Sequence, residues 1–363
     1  MATLRAFAED DVPAVAALFG RVFPDERRTS QAACETYFRE IFFNNPWRDL
    51  GLPSWVAEED GRMAGFAGVI PRRMLFRGRP IRVAVGCQFM VDPNRRHGLT
   101  ALQLARAAFS GPQDLFIADG ANGLSRHIWS GLGGTAPLLY NLHWTRLLRP
   151  ARYVLSLLEE RAGFPHPLTL AARPLSAAAD ALSARLRPNR FHQKETELAE
   201  ETLDPATMLA HLPEVMNGNA LQPQYDAHSL AWLLEQTRRK KRHGSLRART
   251  VLDGGRQLVG WYLHYVRAGG VSEVLQIAAR NGWFDRVLQR LLADAWRHGA
   301  AAARGRLDPR YVQKLSERHC WLRQEDPSVL IHSRDPDVLS AIRQGSAFLS
   351  RLEGEWWLRF LGE

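Results

Sequence analysis

The chain has 363 residues, 45% hydrophobic and 24% charged, a balance that suits a folded globular protein and excludes a disordered, fibrous or collagen-like one. Its formal net charge of +10 is carried almost wholly by arginine, with lysine only at positions 194, 240, 241 and 314, which reads as compositional bias rather than a built nucleic-acid surface. Cys34, Cys87 and Cys320 are too far apart for a metal site or a disulfide framework, no apolar run reaches the length of a membrane span, and the acidic start MATLRAFAEDD is not a secretory leader, so a cytoplasmic protein with reduced, buried thiols is expected.

A chain of this length exceeds one ordinary core and calls for two domains. Leu4, Ala6 and Ala8 alternate as in a short strand, and Val12, Val15, Ala16, Leu18, Phe19 and Val22 then recur at helical spacing. A second helix is expected from Thr29 to Phe43 with Ser30 as its N-cap. Asp60-Gly61 lies between Ser54–Glu59 and Met63–Ile70 and predicts a hairpin, and a further turn at Gly78 leads into the strand Ile81–Val91. Pro93 ends that strand, and Leu99, Leu102, Leu104 and Ala105 open an amphipathic helix. Asp114–Asp119 reads as a strand, Asn122–Leu132 as a helix ended by Gly133-Gly134, and Pro137–Leu148 as a closing strand.

From Pro150 to Glu201 no strand is evident, which predicts a connector with one helix around Pro174–Leu186. The order of elements then repeats. A helix is expected at Ser229–Arg239, strands at Leu246–Leu252 and Gln257–Val266 around Asp253-Gly254-Gly255, and a strand at Val271–Ala279. A helix at Phe284–His298, a strand at Gly305–Leu307 and a last helix-strand region complete it, with Trp356-Trp357 read as part of a packed terminal strand, the other reading being an aromatic sugar platform. The expected boundaries are a first domain at 1–150, the connector at 151–201 and a second domain at 202–363.

The chemistry is concentrated in Asp92-Pro93-Asn94-Arg95-Arg96-His97-Gly98-Leu99-Thr100, between a strand and a helix start. Unpaired N–H groups of the first helical turn, the helix dipole and a glycine that admits close approach together bind anions such as pyrophosphate, each charge-assisted bond contributing roughly 1.5–3 kcal/mol. The same residues would also make an ordinary helix start with a solvated face. Arg95-x-x-Gly98-x-Thr100 resembles the Gln/Arg-x-x-Gly-x-Gly/Ala loop of the GNAT superfamily of acyl-CoA N-acyltransferases, with Thr100 departing from the pattern. Asn122 and the helix ending Leu132-Gly133-Gly134 are similar to the superfamily's pantetheine-contacting asparagine and its Leu-Gly-Phe, and Trp129 stands where a tyrosine often protonates the departing thiolate.

That resemblance implies an α/β (α+β) fold of two tandem GNAT-like domains, each a mixed, mostly antiparallel sheet flanked by helices. It implies an acetyl-CoA or other acyl-CoA co-substrate held by Met90, Val91, Arg95, Arg96, His97, Gly98, Leu99, Thr100 and Asn122. Ser125, His127 and Tyr140 are the candidate proton-transfer residues, with Asp92 and Asp119 also near the cleft expected between the fourth and fifth strands. The expected acceptor is an amine of a small molecule or amino sugar, with no membrane, metal or nucleic-acid partner and the chain acting alone or as a homodimer. Two other readings stand beside this one: a non-catalytic CoA- or ligand-binding module, and a Fem-type transferase using charged tRNA. The run Arg238–His243 suits a solvated helix end favoured by the dipole, or contact with an anionic partner.

The second half has Arg280-Asn-Gly-Trp-Phe-Asp285 where the first has its glycine loop, and the bulk of Trp283 and the charge of Asp285 oppose phosphate. One CoA per chain is therefore expected by calorimetry, with Gly98→Asp abolishing the heat of binding in a folded protein. A stoichiometry near two, or binding that survives the substitution, would show a second site.

Overall fold

The computed structural model describes residues 2–23, 29–95, 99–121, 123–161, 172, 174–180, 191, 193, 197–324 and 328–358. From the amino terminus come β1 (Thr3–Ala6), α1 (Val12–Val22), α2 (Gln31–Phe42), β2 (Trp55–Glu59), β3 (Arg62–Phe76) and β4 (Arg79–Val91). There follow α3 (Thr100–Phe109), β5 (Leu115–Ala121), α4 (Gly123–Gly131), β6 (Leu142–Leu147) and α5 (Pro150–Arg161). The middle of the chain holds β7 (Ala199–Thr202), α6 (Pro205–Val215), β8 (Leu221–Pro223), α7 (Ala227–Arg239), β9 (Ser245–Leu252) and β10 (Leu258–Val266). The remainder is β11 (Val271–Ala279), α8 (Phe284–Arg297), β12 (Ala302–Arg306), α9 (Val312–Glu317), β13 (Trp321–Gln324), β14 (Ser328–Ser333) and α10 (Pro336–Arg343).

Local chemistry accounts for most of these. Asp60 and Gly61 at φ 52° and 68°, then Arg77 and Gly78 at 50° and 81°, take the left-handed conformations of two-residue hairpin turns and so join β2, β3 and β4. Ser30 caps α2 by accepting from the Ala33 N–H at 3.2 Å. In α8, Phe284, Val287, Leu288, Leu291, Leu292 and Ala295 recur on one face and are all buried in the second unit's core.

Among the described residues the strands form two seven-stranded sheets, and the chain divides into two compact units. The first sheet has the order β1-β2-β3-β4-β5-β14, with β8 on β3; the second has β7-β9-β10-β11-β12-β6-β13. In each, the sole parallel pair among the described strands is β4 with β5 and β11 with β12. Both sheets are thus mixed and mostly antiparallel, as expected.

The boundaries differ from the expected consecutive ranges. The first unit is drawn from 1–141, 218–237 and 325–363, the second from 142–217 and 238–324. The strand expected to close the first domain, β6, pairs instead with β12 from Ala302↔Leu147 to Arg306↔His143 and with β13. The edge of β5 is completed by β14, from Ser328↔Ala121 to Ser333↔Leu115. Burial explains the exchange: Trp144 and Leu148 enter the second unit's core, and Leu330 packs with Phe109, Phe116 and Trp129 in the first.

Other differences are local. The expected connector begins with α5 and shows helix again at 174–180, while α6 and β8 had no strong periodic signal. Trp356 to Leu358 form a 3₁₀ turn, not a strand. All three cysteines are buried thiols, as expected.

A fragment of residues 1–150 lacks β14 and leaves β5 an unpaired edge beside an unpartnered β6. It is expected to aggregate and to show no cooperative thermal transition by circular dichroism, whereas a sharp transition in the isolated fragment would contradict the exchanged arrangement.

Candidate functional site

The feature that opens a site in the first unit is an interrupted strand pair. Parallel pairing of β4 with β5 runs only from Val83↔Leu115 to Val85↔Ile117. Past it β4 is bulged: Cys87 lies opposite Gly68 and Met90 opposite Phe66, so that Gln88 and Phe89 share the single residue Ala67, and Gln88 takes φ 48°. A bulge bends and twists its strand. Residues 86–91 of β4 have no register partner on β5 among the described residues, and the strands part there, which is the cleft that the resemblance implied.

The start of α3 lies at the end of that strand. A Cβ on Gly65 would come within 3.1 Å of the Met90 carbonyl and 3.4 Å of the Thr100 methyl, so the end of β4 and the first turn of α3 meet over this glycine. Thr100 is buried, and Leu99, the N-cap, is 67% exposed. The first turn of α3 has no side-chain cap, like those of α1 and α8 and unlike those of α2, α6 and α10, which use Ser30, Asp204 and Asp335. Among the described residues no N-cap side chain accepts from its N–H groups.

A segment from the far end of the chain is fastened at the same place. Glu355 N–H donates to Asp119 Oδ1 of β5 at 2.6 Å, and a Cβ on Gly354 would fall 2.1 Å from the other Asp119 oxygen, which makes glycine necessary there. Tyr37 of α2 donates to the Leu358 carbonyl at 2.9 Å and accepts from Gln88 Nε2 at 3.1 Å. Arg72 of β3 donates to the Leu352 carbonyl at 3.2 Å. Burial pushes the Tyr37 hydroxyl and the Cys87 thiol well above their ordinary values, so both stay protonated and neutral. Sequence reasoning named Asp119 but missed Tyr37, Gln88 and Glu355, because their meeting depends on a contact spanning most of the chain.

The predicted site residues separate into three groups. Met90, Val91, Leu99 and Thr100 are brought together as described. Arg96, His97, Gly98 and Asn122 lie outside the described residues, and Arg95 ends a 3₁₀ turn whose last side chain is likewise not described. Of the proton-transfer candidates, Ser125 is half-buried and His127 exposed, both on α4.

Tyr140 does not fit a catalytic role. It is 1% exposed in a 3₁₀ turn, its hydroxyl donating to the Ala347 carbonyl at 2.7 Å and accepting from the Ala347 N–H at 3.0 Å. Both ends of that hydroxyl are committed to backbone. Asp92 is committed too, to Arg21 at 3.1 Å and to the Asn94 N–H at 3.0 Å in a turn after β4. Trp129 is core: its Nε1 donates to the Ile331 carbonyl at 3.3 Å and its ring packs edge-on against Phe109 and Phe116. A Cβ on Gly134 would lie 1.6 Å from the Trp129 indole, which explains glycine in place of the superfamily's phenylalanine.

In the second unit the corresponding helix start is closed. Asp285 in the first turn of α8 receives Arg318 through two bonds of 2.6 and 2.5 Å, and Tyr311 stacks on Phe284 with centroids 3.7 Å apart. The helix dipole already faces a carboxylate there. The second unit also holds an aligned Ser272, His264 and Asp294, with Ser272 Oγ 2.7 Å from His264 Nδ1 and Asp294 Oδ2 3.0 Å from His264 Nε2. All three are completely buried, and the Ser272 hydroxyl donates to the Tyr265 carbonyl at 2.9 Å, so the serine is not poised as a nucleophile. Arg247 grips Asp294 at 2.6 and 2.9 Å, which makes this a packing network.

Residues 3–111 match the sequence model of a family described as acetyltransferase (GNAT) domain. No curated protein matches the chain in sequence. Among solved structures, the chain superposes on a GCN5-related N-acetyltransferase from Anabaena variabilis with a TM-score of 0.60 at 10% identity, covering 93% of this chain and 74% of that one. A probable N-acyltransferase from Enterococcus faecalis gives 0.57 at 9% identity, covering 92% and 73%. The N-myristoyltransferase of Saccharomyces cerevisiae, solved with bound myristoyl-CoA, gives 0.51 at 10% identity, covering 92% and 80%. At these identities the structural matches establish the fold alone.

The buried network of the second unit gives a test by pH. Burial alone would raise the Asp294 carboxyl, but bonds from His264 and Arg247 outweigh it and hold the group well below the usual carboxylate range. A depressed carboxyl stabilises the fold above its unfolded value and loses that contribution as pH falls toward the folded one. Asp294→Asn is expected to cost about 3–5 kcal/mol at neutral pH by stranding Arg247. Urea unfolding of the variant should also lose less stability than the parent between about pH 4 and pH 3. Parallel losses in the two proteins would refute the assignment.

Proposed function

Because the amino-terminal part of this chain is a GNAT-superfamily domain, we propose that the protein transfers an acyl group from an acyl-CoA to an amine of a small molecule, an amino sugar being one such acceptor. The observation that carries this reading is the parting of β4 from β5 directly before a helix start without a side-chain cap. The opened edge of β4 suits an extended arm bearing amides, which adds to a strand edge through main-chain bonds. The first turn of α3, with Arg95, Arg96 and Gly98 before it in the sequence, suits the pyrophosphate. A bound acyl-CoA supplies the activated thioester.

The residues of the chain would then orient the thioester and manage protons. The amine must lose a proton as the acyl carbon–nitrogen bond forms, and the thiolate must gain one as the carbon–sulfur bond breaks. Ser125 and His127 on α4 are the proposed participants, and Trp129 takes no part in proton transfer. A second reading, a CoA-binding module without catalysis, is favoured by one specific observation: Trp129 and Tyr140 are both locked to backbone by hydrogen bonds.

Release of free thiol from acetyl-CoA and longer acyl-CoA, measured against a panel of amines including amino sugars, separates the two readings. Amine-dependent thiol release, retained to a substantial degree in Trp129→Phe, is the expected outcome. Saturable CoA binding without thiol release for any amine would favour the non-catalytic module. Retention of charged tRNA in a gel, with no acyl-CoA turnover, would favour the tRNA-dependent alternative instead.

A further inference from the structure

The first unit contains a cavity of about 350 Å³ between the loop after α2 and the hairpin of β3 and β4, lined among others by Trp47, Arg48, Asp49, Arg72, Arg73 and Arg82. Its cations are not equivalent. Arg82 is paired with Asp49 at 2.6 Å, and Arg48 and Arg73 are exposed at the surface. Arg72 is only 7% exposed and has no ion pair among the described residues. Its guanidinium lies 3.9 Å from the Trp47 ring centroid and 5.5 Å from that of Trp357, and it gives one bond to the Leu352 carbonyl.

The hydrogen-bonding inventory at this cavity is one-sided. Arg72 Nε, Trp47 Nε1 and the neighbouring Asn45 Nδ2 are all buried donors with no acceptor among the described residues, and each belongs to a residue more than nine-tenths buried. Behind them, Trp232 packs edge-on against both Trp47 and Trp357, and its Nε1 and that of Trp357 also lack an acceptor among the described residues. The buried carboxylate that acts on Arg72 electrostatically, Glu353, takes its hydrogen bonds from Ser350 and Tyr225. Burial lowers the Arg72 guanidinium to about 10, so it remains a cation at neutral pH. A buried charge and several buried donors without acceptors are each costly, and one group that supplies both negative charge and acceptor oxygens relieves all of them together.

We propose that this cavity binds a small oxyanion, a carboxylate or a phosphate, held by Arg72 Nε and Trp47 Nε1 and drawn in by Arg48 and Arg73 at its rim. The planar guanidinium and the adjoining indole N–H present donors to an oxygen-bearing group, and the aromatic faces exclude water from the contact. This site is distinct in its residues from the proposed pyrophosphate-binding turn of α3. Its existence does not depend on acyl transfer.

The test uses the full chain with inorganic phosphate and acetate as probes and chloride at matched ionic strength as the control. Calorimetry should show saturable binding of phosphate or acetate at one site, with a rise in thermal midpoint that chloride does not reproduce. Binding of phosphate only, or of acetate only, identifies which oxyanion chemistry the cavity accepts. Arg72→Met is expected to weaken binding about tenfold or more, the loss of one charge-assisted bond. Trp47→Phe, which keeps an aromatic ring and removes the N–H, should weaken it severalfold and covers the case in which Arg72→Met fails to fold. CoA binding should be unchanged in Trp47→Phe, so failure of the acyl-CoA reading and failure of this one give different results. No saturable binding of either probe, equal binding in the variants, or a crystal structure with only an ordered water on Arg72 Nε and Trp47 Nε1 would overturn the proposal.

Discussion

The antiparallel pairing of β14 with β5 is the contact on which the first unit depends. β5 has a parallel neighbour over only three register pairs, so most of its backbone is satisfied from the other edge, by a strand more than two hundred residues later. That edge also carries the core: Leu330 packs with Phe109, Phe116 and Trp129, and the Ile331 carbonyl accepts from both the Trp129 indole and the Thr135 N–H. Once β14 supports β5 from that side, β4 is free to bend away at Gln88 without leaving β5 unpaired on both edges. The opened cleft and the exchanged strand are two aspects of one arrangement.

The same long-range closure decides which polar groups are available for chemistry. Tyr140 looks like a proton donor when only its neighbours in sequence are considered, yet its hydroxyl completes the backbone bonds of Ala347. Asp119 is a cleft carboxylate, and it receives the Glu355 N–H. The segment from Ser350 to Leu358 is therefore part of the site's wall, held by β3, β5 and α2. Its glycine at 354 is required by the Asp119 carboxylate rather than by a turn.

The two units share a strand order but differ in the chemistry of one helix start. Neither α3 nor α8 has a side-chain cap, but the first turn of α3 carries no acid and is preceded in the sequence by arginines, whereas that of α8 carries Asp285, paired with Arg318, beside the stacked rings of Phe284 and Tyr311. The second unit instead invests its polar groups in a buried network in which Glu200 binds Tyr262, Arg290 and Arg297, and Asp294 binds His264 and Arg247. Such a network makes a firm partner fold.

Features governed by near neighbours could be read from the amino acids alone. The turns at Asp60-Gly61 and Arg77-Gly78, the Ser30 cap, the apolar face of α8 and the strand-to-helix junction after Val91 all follow from local backbone preference and periodicity. The motif Arg95-x-x-Gly98-x-Thr100 and its contrast with Asp285 could be stated from the amino acids because each involves consecutive residues. Tertiary structure alone decided which sheet β6 and β14 join, since an alternating strand reports the face it buries and not the neighbour it pairs with. It alone brought Tyr37, Gln88, Asp119 and Glu355 together, committed the Tyr140 hydroxyl to backbone and left Arg72 buried with no direct ion pair among the described residues, because each of these outcomes depends on groups that meet only when distant parts of the chain pack.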